Sequence, residues 1–514
     1  MKTTKNFVSL NFIKLLLCLL ATASCSKFKL TETNAANPND MQYAPEHRDN
    51  SIIVWKNPSA SEEEFAAWKA RRGLNTPGGN TKKLCEFCSA EDDLELYNGV
   101  LMTTMIQGSG SGGGGTTCTG THCGPSGGGD DTASFCYNFS MDLPEPTGPI
   151  DSVNHDMIPY FNLKRKYPVP ADINLPSQNG LSGAAVTVAI FDTGLEPGIT
   201  GQYCSGLSSS CNTQALRGWN YSVTPNNANT ADDYPHRHGS AVSKFIIDEV
   251  LHYQNQKVNI IPVKIHDATG RCDMYNVLCG ILYASKSNVN IINASFGFYW
   301  DDANSYPYLF GEFIKHYLTE KGIIMVAAAG NEEPQDDNFA MINLGIPQPL
   351  LRSLDVHPFY PACFAGKQGF ENVISATTFS ISDGNRVSRY QNFSPRYVDV
   401  AVNADFVYNR LNMTTTVIET EYGFIDPLRR LNPHSGSTLI ISGTSYATPI
   451  ITGKIVAYYN DLTQGMLGVG TPNRIDKNQL FSRMEAHGLV YIDNINLPLQ
   501  VNRGKYAQNS GTPY

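Results

Sequence analysis

Four polar residues lie where apolar stretches of this 514-residue chain begin or end. Asp192 follows the run VAIF and Asn331 ends GIIMVAAAGN, while His238 opens HGSAVSKFI and Ser445 lies in SGTSYATPIITG. An asparagine amide can donate to a developing oxyanion, and a serine at a helix N-terminus has backbone N–H groups beside it that can do the same. These residue types suit acyl-transfer chemistry. Singly, they also fit a turn aspartate, a surface histidine, a Gly-Asn turn and a capping serine.

Two short motifs at these residues allow other chemistry. Asp192 begins a D-T-G triplet, which is a weak match to aspartic proteases, but those enzymes need two carboxylates that share a proton. The chain has no second copy of D-T-G. His236 and His238 form an H-x-H pattern, but no nearby third ligand completes a zinc set. No metal and no cofactor is therefore predicted.

The elements that must position these residues alternate between strands and helices from about Asp151 onward. Near-continuous apolar runs are typical of strands buried on both faces of a parallel sheet, and they are AAVTVAIFD, VNIIPVKI, VNIINASFG, GIIMVAAAGN and NVISATTF. Helical spacing follows in GSAVSKFIIDEVLHY, MYNVLCGILYASKSN and YLFGEFIKHYLTEKG. This alternation predicts a helix-covered parallel sheet with right-handed crossovers. The active site of such a sheet lies beyond the carboxyl ends of its strands, where the motifs fall.

The order Asp, His, Asn, Ser and its motifs resemble the subtilisin-like serine protease (subtilase) family. The motifs are D-T-G, H-G-S, A-A-G-N and G-T-S-Y-A-T-P, and the likeness extends through VKIHDATGRCDMYNVLCGILYA, INASFG and FYPACF. It implies a subtilisin-like three-layer α/β fold over residues 151–510 with a mostly parallel central sheet. It also implies that Ser445 is the nucleophile and His238 the general base, then acid. Asp192 would orient the imidazole, and Asn331 with the Ser445 backbone N–H would form the oxyanion hole.

The same likeness locates the substrate. The two backbone segments that flank the primary specificity pocket correspond to Ser295-Phe296-Gly297 and Ala328-Ala329-Gly330, where an extended peptide would pair by β-augmentation. Phe359 stands where compact relatives often have glycine at the pocket floor, so we expect a shallow pocket that favours small side chains. The Asn-rich calcium loop that many secreted relatives carry after the catalytic histidine has no counterpart in this sequence. No calcium site is predicted there, and a structural calcium elsewhere is left open without a recognisable loop to support it.

The N-terminus predicts export. Residues 1–24 resemble a signal peptide, because Lys2 and Lys5 precede the short apolar stretch LLLCLLATA. Cys25 follows where bacterial lipoprotein signals place a lipidated cysteine, and an ordinary secretory signal is the alternative. A polar tether covers residues 25–50. We expect an exported protein, either an outer-membrane lipoprotein of the bacterial cell envelope or an extracellular one.

A small α+β unit over residues 51–100 resembles subtilase propeptides, which pack on the enzyme, assist folding and block its cleft. SIIVWKN predicts a strand, Ser61 and Glu64 predict a capping box that begins a helix through Gly73, and LELY predicts a second strand. Residues 101–150 are expected to be a Gly-rich linker, accessible for removal of the unit. The propeptide is thus an expected intramolecular inhibitor.

The 12 cysteines fit an oxidising compartment, which favours disulfides. Cys204 with Cys211 and Cys272 with Cys279 are local pairs that could each close a small loop, and the CEFC motif that begins at Cys85 favours a disulfide over metal binding. The sequence leaves the connectivity open.

The net charge of −9 and the pI of about 5.7 give no basic domain for a nucleic acid, so none is expected as a partner. The sequence predicts a monomeric serine endopeptidase that acts on proteins or peptides. An inactive surface lipoprotein that uses the subtilase fold as a binding module is the alternative, and an aspartic protease from D-T-G alone is the third hypothesis. Intact chemistry at all four catalytic positions favours the first.

Overall fold

The computed structural model describes most of the chain between residues 47 and 509. The described residues are 47–74, 81–87, 89–100, 132–143, 177–178, 181, 184–203, 207–208, 215–216, 218–300, 306–411, 418–428, 440–467 and 474–509. The predicted signal peptide, Cys25, most of the tether and the Gly-rich tract lie outside these residues, as do Cys204 and Cys211.

A four-stranded antiparallel sheet and one helix form the N-terminal unit. Its elements are β1 (His47–Lys56), α1 (Glu62–Arg71), β2 (Thr81–Phe87), β3 (Ser89–Asn98) and β4 (Ala133–Phe139), with strand order β2-β3-β1-β4. The predicted capping box is confirmed, because Glu64 N donates to Ser61 Oγ at 3.2 Å and Ser61 N donates to Glu64 Oε2 at 2.8 Å. Ile52, Ile53 and Val54 of β1 are buried, as the apolar run predicts.

The N-terminal unit extends beyond the boundary expected from the sequence. Strand β4 falls within the predicted linker over residues 101–150, yet it pairs along β1, with Ile53 opposite Cys136 and Val54 opposite Phe135. The Gly-rich tract therefore joins two strands of one sheet. Sequence pattern misses this strand because its partner precedes the tract and pairing between distant segments has no local signal.

The main sheet is mostly parallel, with strand order β20-β21-β16-β14-β12-β10-β5-β9-β8 and β15 paired to β14. Its strands are β5 (Val186–Asp192), β8 (Trp219–Asn220), β9 (Val258–Lys264), β10 (Ile291–Ala294), β12 (Ile324–Ala328), β14 (Val373–Ser380), β15 (Arg386–Val387), β16 (Val400–Asn403), β20 (Tyr491–Ile492) and β21 (Lys505–Ala507). Only the pairs β14–β15 and β20–β21 of this described sheet are antiparallel. The five predicted buried runs correspond to β5, β9, β10, β12 and β14.

Short strands outside this sheet form small pairs and one three-stranded arrangement. They are β6 (Leu207–Ser208) with β7 (Ala215–Leu216), β11 (Phe298–Tyr299) with β13 (Phe359–Tyr360), and β17 (Phe406–Leu411), β18 (Ile418–Ile425) and β19 (Ile440–Ile441).

Helices cover both faces of the main sheet. They are α2 (Pro197–Tyr203), α3 (His238–Tyr253), α4 (Met274–Lys286), α5 (Tyr308–Ile314), which continues as a π turn (Lys315–Thr319), α6 (Pro334–Asn343), α7 (Thr444–Ala457), α8 (Tyr459–Thr463) and α9 (Lys477–Ala486). Of the two larger apolar cores, one lies with α3, α7 and α9, and the other lies with α4, α5 and the N-terminal sheet. The predicted α/β class and three-layer arrangement are confirmed. None of the described helices is long and apolar enough to span a membrane.

A disulfide joins the N-terminal unit to the main domain. Cys85 on β2 pairs with Cys279 on α4 across 194 residues of sequence, so the local pairing of Cys279 with Cys272 is wrong. Cys272 is buried and does not take part in that disulfide. Cys272 precedes the N-cap Asp273, and the helix alone rises about 7.5 Å from Met274 to Cys279, more than the roughly 7 Å between Cα atoms that a disulfide can span. The disulfide expected within the CEFC motif is likewise not made by Cys85.

Candidate active site

The end of β5 and the start of α3 bring Asp192 and His238 together. His238 Nδ1 lies 2.8 Å from Asp192 Oδ1 and 2.9 Å from Oδ2. Gly239 permits this approach, because a Cβ at that position would lie 2.3 Å from Gly194 O and 3.1 Å from Asp192 Cβ. The first turn of α3 can therefore rest directly on the turn that follows β5.

Charge stabilises this pair although burial opposes it. Asp192 is 1% exposed and His238 8% exposed. Burial tends to raise the pKa of Asp192, but the charge of His238 and their hydrogen bond outweigh burial and lower the pKa below its ordinary value. Burial likewise tends to lower the pKa of His238, but the charge and hydrogen bond of Asp192 raise it above its ordinary value. The bond also fixes the ring so that Nε2 is the nitrogen left for a substrate or nucleophile.

Asp232 is a buried carboxylate beside this pair, and no sequence motif points to it. Its Oδ1 accepts from Thr193 Oγ1 at 2.9 Å, and its Oδ2 accepts from Ser240 Oγ at 2.6 Å and from Ser240 N at 3.0 Å. It thus connects the residue after Asp192 to the first turn of α3. Burial raises its pKa to about 6, although the bonds from Ser240 and Thr193 oppose that rise.

The available sequence signal for Asp232 was the Asp-Asp pair shortly before His238. One aspartate of the pair is buried and the other is exposed, and their spacing in the sequence does not tell which is which. The side chain of Asp233 is 57% exposed and pairs with Lys264 Nζ at 2.5 Å, whereas Asp232 points inward.

Ser445 lies in the first turn of α7 and is anchored to the end of β10. Its Oγ donates to Ser295 O at 3.0 Å, and Ser295 Oγ donates to Ser445 O at 2.8 Å. The ring of the next residue, Tyr446, lies 5.5 Å from the His238 ring, which brings the start of α7 beside the imidazole. Among the described residues, the Ser445 hydroxyl bonds Ser295 O and makes no hydrogen bond with His238. In enzymes without bound substrate, the hydrogen bonds of catalytic groups are often long or poorly aligned.

Asn331 follows β12 and is fixed at the same helix end. Its Oδ1 accepts from Thr444 N at 2.8 Å, so the amide NH₂ is the end that remains to face a ligand. Gly443 enters the helix with φ 129°, a conformation that a residue with Cβ rarely adopts, and a Cβ there would contact the Asn331 amide at 3.5 Å. Backbone N–H groups of the first turn of α7 lie beside this amide.

A buried polar network supports Asn331 from behind, and sequence spacing gave no signal for it. Tyr299 Oη lies 2.6 Å from Asn331 O and 2.9 Å from Asn392 Oδ1, and Arg352 donates to Tyr299 Oη at 2.7 Å. Arg352 also pairs with Asp337. Burial raises the pKa of Tyr299 to about 12, so the phenol stays protonated and able to donate.

Most of the predicted substrate residues line one cleft in front of Ser445. The cleft has a volume of about 410 Å³. Of the residues that the sequence predicts for the site, those that line the cleft are Ser295, Phe296, Gly297, Ala328, Gly330, Asn331, Phe359 and Ser445. Ala329 is fully buried and does not line it; its carbonyl accepts from Asn392 Nδ2 at 2.9 Å instead. Asp192 and His238 also lie outside this lining.

The Phe359 ring packs between the two segments that flank this cleft. A Cβ on Gly297 would lie 2.3 Å from the ring, and one on Gly330 would lie 2.9 Å from it. Gly330 has φ 95°, so a larger residue would be strained there as well. Among the described residues, no group of three His, Cys, Asp or Glu side chains is placed to hold a metal ion.

The His238–Asp192 pair generates a prediction about titration. In protein with isotope-labelled histidine, the His238 ring should titrate above the ordinary histidine pKa of about 6.5. Asp192→Asn should bring its pKa below that value, because burial, the largest effect, is then opposed only by the smaller effect of the Asp232 charge. Histidine NMR measures both, with His238→Gln to assign the signal and Asp233→Asn as a carboxylate control expected to leave the titration unchanged. An identical titration in wild type and Asp192→Asn would contradict the prediction.

Several solved structures are similar to the chain. A lanthipeptide protease is 16% identical and aligns over 63% of this chain and 85% of its own, with a TM-score of 0.41. The epidermin leader peptide processing serine protease (EpiP) of Staphylococcus aureus is 13% identical over 89% and 96% of the two chains, with a TM-score of 0.47. A cold adapted subtilisin-like serine proteinase is 15% identical over 69% and 98%, with a TM-score of 0.37.

A comparison with curated proteins finds no match. A protein-family model, in contrast, matches residues 183–473, which is more than half of the chain. The matched range includes β5, α3 and α7, which contain Asp192, His238 and Ser445, and β10 and β12, which precede Ser295 and Asn331. The chain therefore belongs to the subtilase family of serine proteases.

Proposed function

We propose that this protein is an active serine endopeptidase in which Ser445, His238 and Asp192 form the catalytic triad. The observation that carries the proposal is the contact of His238 Nδ1 with both carboxylate oxygens of Asp192, at 2.8 and 2.9 Å. That contact holds the imidazole in one orientation and stabilises the imidazolium that forms during the reaction. The ring position of Tyr446 beside His238 supports the approach of Ser445 to Nε2.

The reaction follows from these positions. The Ser445 hydroxyl rotates from Ser295 O toward His238 and attacks the scissile carbonyl carbon, while His238 Nε2 takes its proton. The Asn331 amide and the Ser445 backbone N–H stabilise the oxyanion. His238 then gives the proton to the leaving amine as the C–N bond breaks. Water hydrolyses the acyl-enzyme by the same steps and restores the Ser445 hydroxyl.

An inactive binding module remains the second candidate. The observation in its favour is that the Ser445 hydroxyl donates to Ser295 O at 3.0 Å and not to His238. A protein locked in that arrangement would bind peptides without cutting them. Asp192 itself bonds an imidazole and not a second carboxylate, which removes the support for an aspartic protease.

The rest of the proposal concerns the precursor and its location. We propose export through the N-terminal signal, attachment to a bacterial membrane through lipid on Cys25, and synthesis as a precursor inhibited by the N-terminal unit. The basic start, the apolar run and the cysteine at its end support export and lipidation. We also propose a monomer that acts on proteins or peptides.

The nucleophile is tested by covalent labelling. A fluorophosphonate probe should form a bond between phosphorus and Ser445 Oγ and release fluoride, and Ser445→Ala should abolish labelling. His238→Ala should slow labelling by about 10²- to 10⁴-fold, the usual contribution of a general base. The nearby Ser442→Ala is the matched control and should label normally. Mass spectrometry of the labelled peptide identifies the site, and an unlabelled wild type would favour the binding module.

The position of Phe359 predicts the cleavage preference. Wild type should cleave best after small residues, because the ring fills the space between Gly297 and Gly330. Phe359→Gly should raise kcat/KM for peptides with Phe, Tyr or Leu before the scissile bond by at least about tenfold relative to Ala. A peptide library read by mass spectrometry measures this.

Loss of a buried phenyl ring also destabilises a protein by about 3–5 kcal/mol. Phe370→Ala, which removes a buried ring away from the cleft, controls for that loss and should keep the wild-type preference. Phe359→Leu provides a milder change at the same site. Wild-type cleavage mainly after Phe, Tyr or Leu would contradict the shallow pocket.

A further inference from the structure

A disulfide joins the N-terminal unit to the main domain across 194 residues of sequence. Cys85 on β2 and Cys279 on α4 are both fully buried, and their Cα atoms lie 5.4 Å apart. Cys85 precedes the Gly-rich tract and the first residue of the family match, and Cys279 follows both. A single cut of the chain between the two cysteines therefore leaves two pieces that the disulfide still links.

The surface around this disulfide has the character of a permanent interface. Trp55 packs edge-on against Phe313 at 5.3 Å, and Phe139 packs against Trp300 at 5.5 Å. Side chains of the N-terminal sheet and of α4 and α5 belong to one continuous apolar core. Interfaces of this kind resemble a domain core cut in two, which is typical of obligate partners.

Buried polar groups are also paired across the boundary. Tyr275 Oη donates to Lys83 O at 3.0 Å, and Tyr275 N donates to Asn138 Oδ1 at 3.0 Å. Separation of the unit would expose the apolar core and break these bonds. The contacts therefore favour retention of the unit in the enzyme.

The last described part of the unit reaches the catalytic cleft. We call Ser140–Leu143 the cleft segment. Its Met141 N donates to Cys272 O at 3.0 Å and its Leu143 N donates to Gly270 O at 2.8 Å, as an added antiparallel strand would. All four of its residues line the same cleft as Asn331 and Ser445. The cleft segment thus occupies a backbone edge beside the site where a substrate peptide would lie.

We propose that the N-terminal unit is a permanent, disulfide-linked component of the processed enzyme. The proposal rests on the proposed protease function. A cut of the chain alone does not release the unit, because the Cys85–Cys279 disulfide still joins the two pieces. The buried contacts across the boundary hold the unit in place after the cut.

Retention is tested on the full-length protein after a cut. The sample is self-cleaved protein or, if it does not cut itself, protein nicked by trypsin at the basic run Lys164-Arg165-Lys166. In denaturing gels without reductant, cut wild type should run as one species, and dithiothreitol should separate it into two. Cys85→Ala/Cys279→Ala should separate without reductant. Cys363→Ala, which changes a buried free cysteine, should behave as wild type.

The outcomes separate the two proposals. Two fragments from cut wild type without reductant, or alkylation of Cys85 and Cys279 as free thiols, would overturn retention. Absence of fluorophosphonate labelling would instead refute the protease function, and the gel would still decide retention because it does not depend on activity.

Discussion

The contact between Asp192 and His238 sets the requirements that the surrounding structure meets. A buried carboxylate is costly unless it is paired and hydrogen-bonded. Asp192 receives the imidazole of His238 and the Thr193 N–H at 2.7 Å. For this pairing, the first turn of α3 must lie next to the C-terminal end of β5 in space. Gly194 and Gly239 allow the two backbones to pack in direct contact. Asp232 accepts hydrogen bonds from Thr193, which follows Asp192, and from Ser240 in the first turn of α3, so it fixes both partners of the pair.

The other half of the site depends on the start of α7. Helix N-termini have backbone N–H groups without helical partners, and here they lie beside the Asn331 amide and the Ser445 hydroxyl. Reciprocal bonds between Ser295 and Ser445 tie this helix to β10. The three neighbouring strands β5, β10 and β12 thus place Asp192, Ser295 and Asn331 at the same edge of the sheet. Polar side chains that are far apart in sequence therefore lie at one edge of the sheet.

The sequence predicted those parts of the structure whose signals are local. Buried parallel strands appear as apolar runs, and the capping box at Ser61 and the residues Asp192, His238, Asn331 and Ser445 belong to short motifs. The pairing of Cys85 with Cys279 and of β4 with β1 could not be predicted, because each depends on segments brought together by folding. Arg352 and Tyr299 were missed for the same reason. Their role exists only through contacts made in space.

The connection between β3 and β4 has a consequence for the evolution and engineering of the chain. These strands lie on either side of β1 in one sheet, so the Gly-rich tract only has to cross from one to the other. The entropy of closing a loop grows slowly with its length, by about 0.6 kcal/mol for each doubling. The sheet therefore places little constraint on the length or composition of this crossover. An affinity tag or a reporter domain could be inserted there while the register of β1 with β4 is preserved.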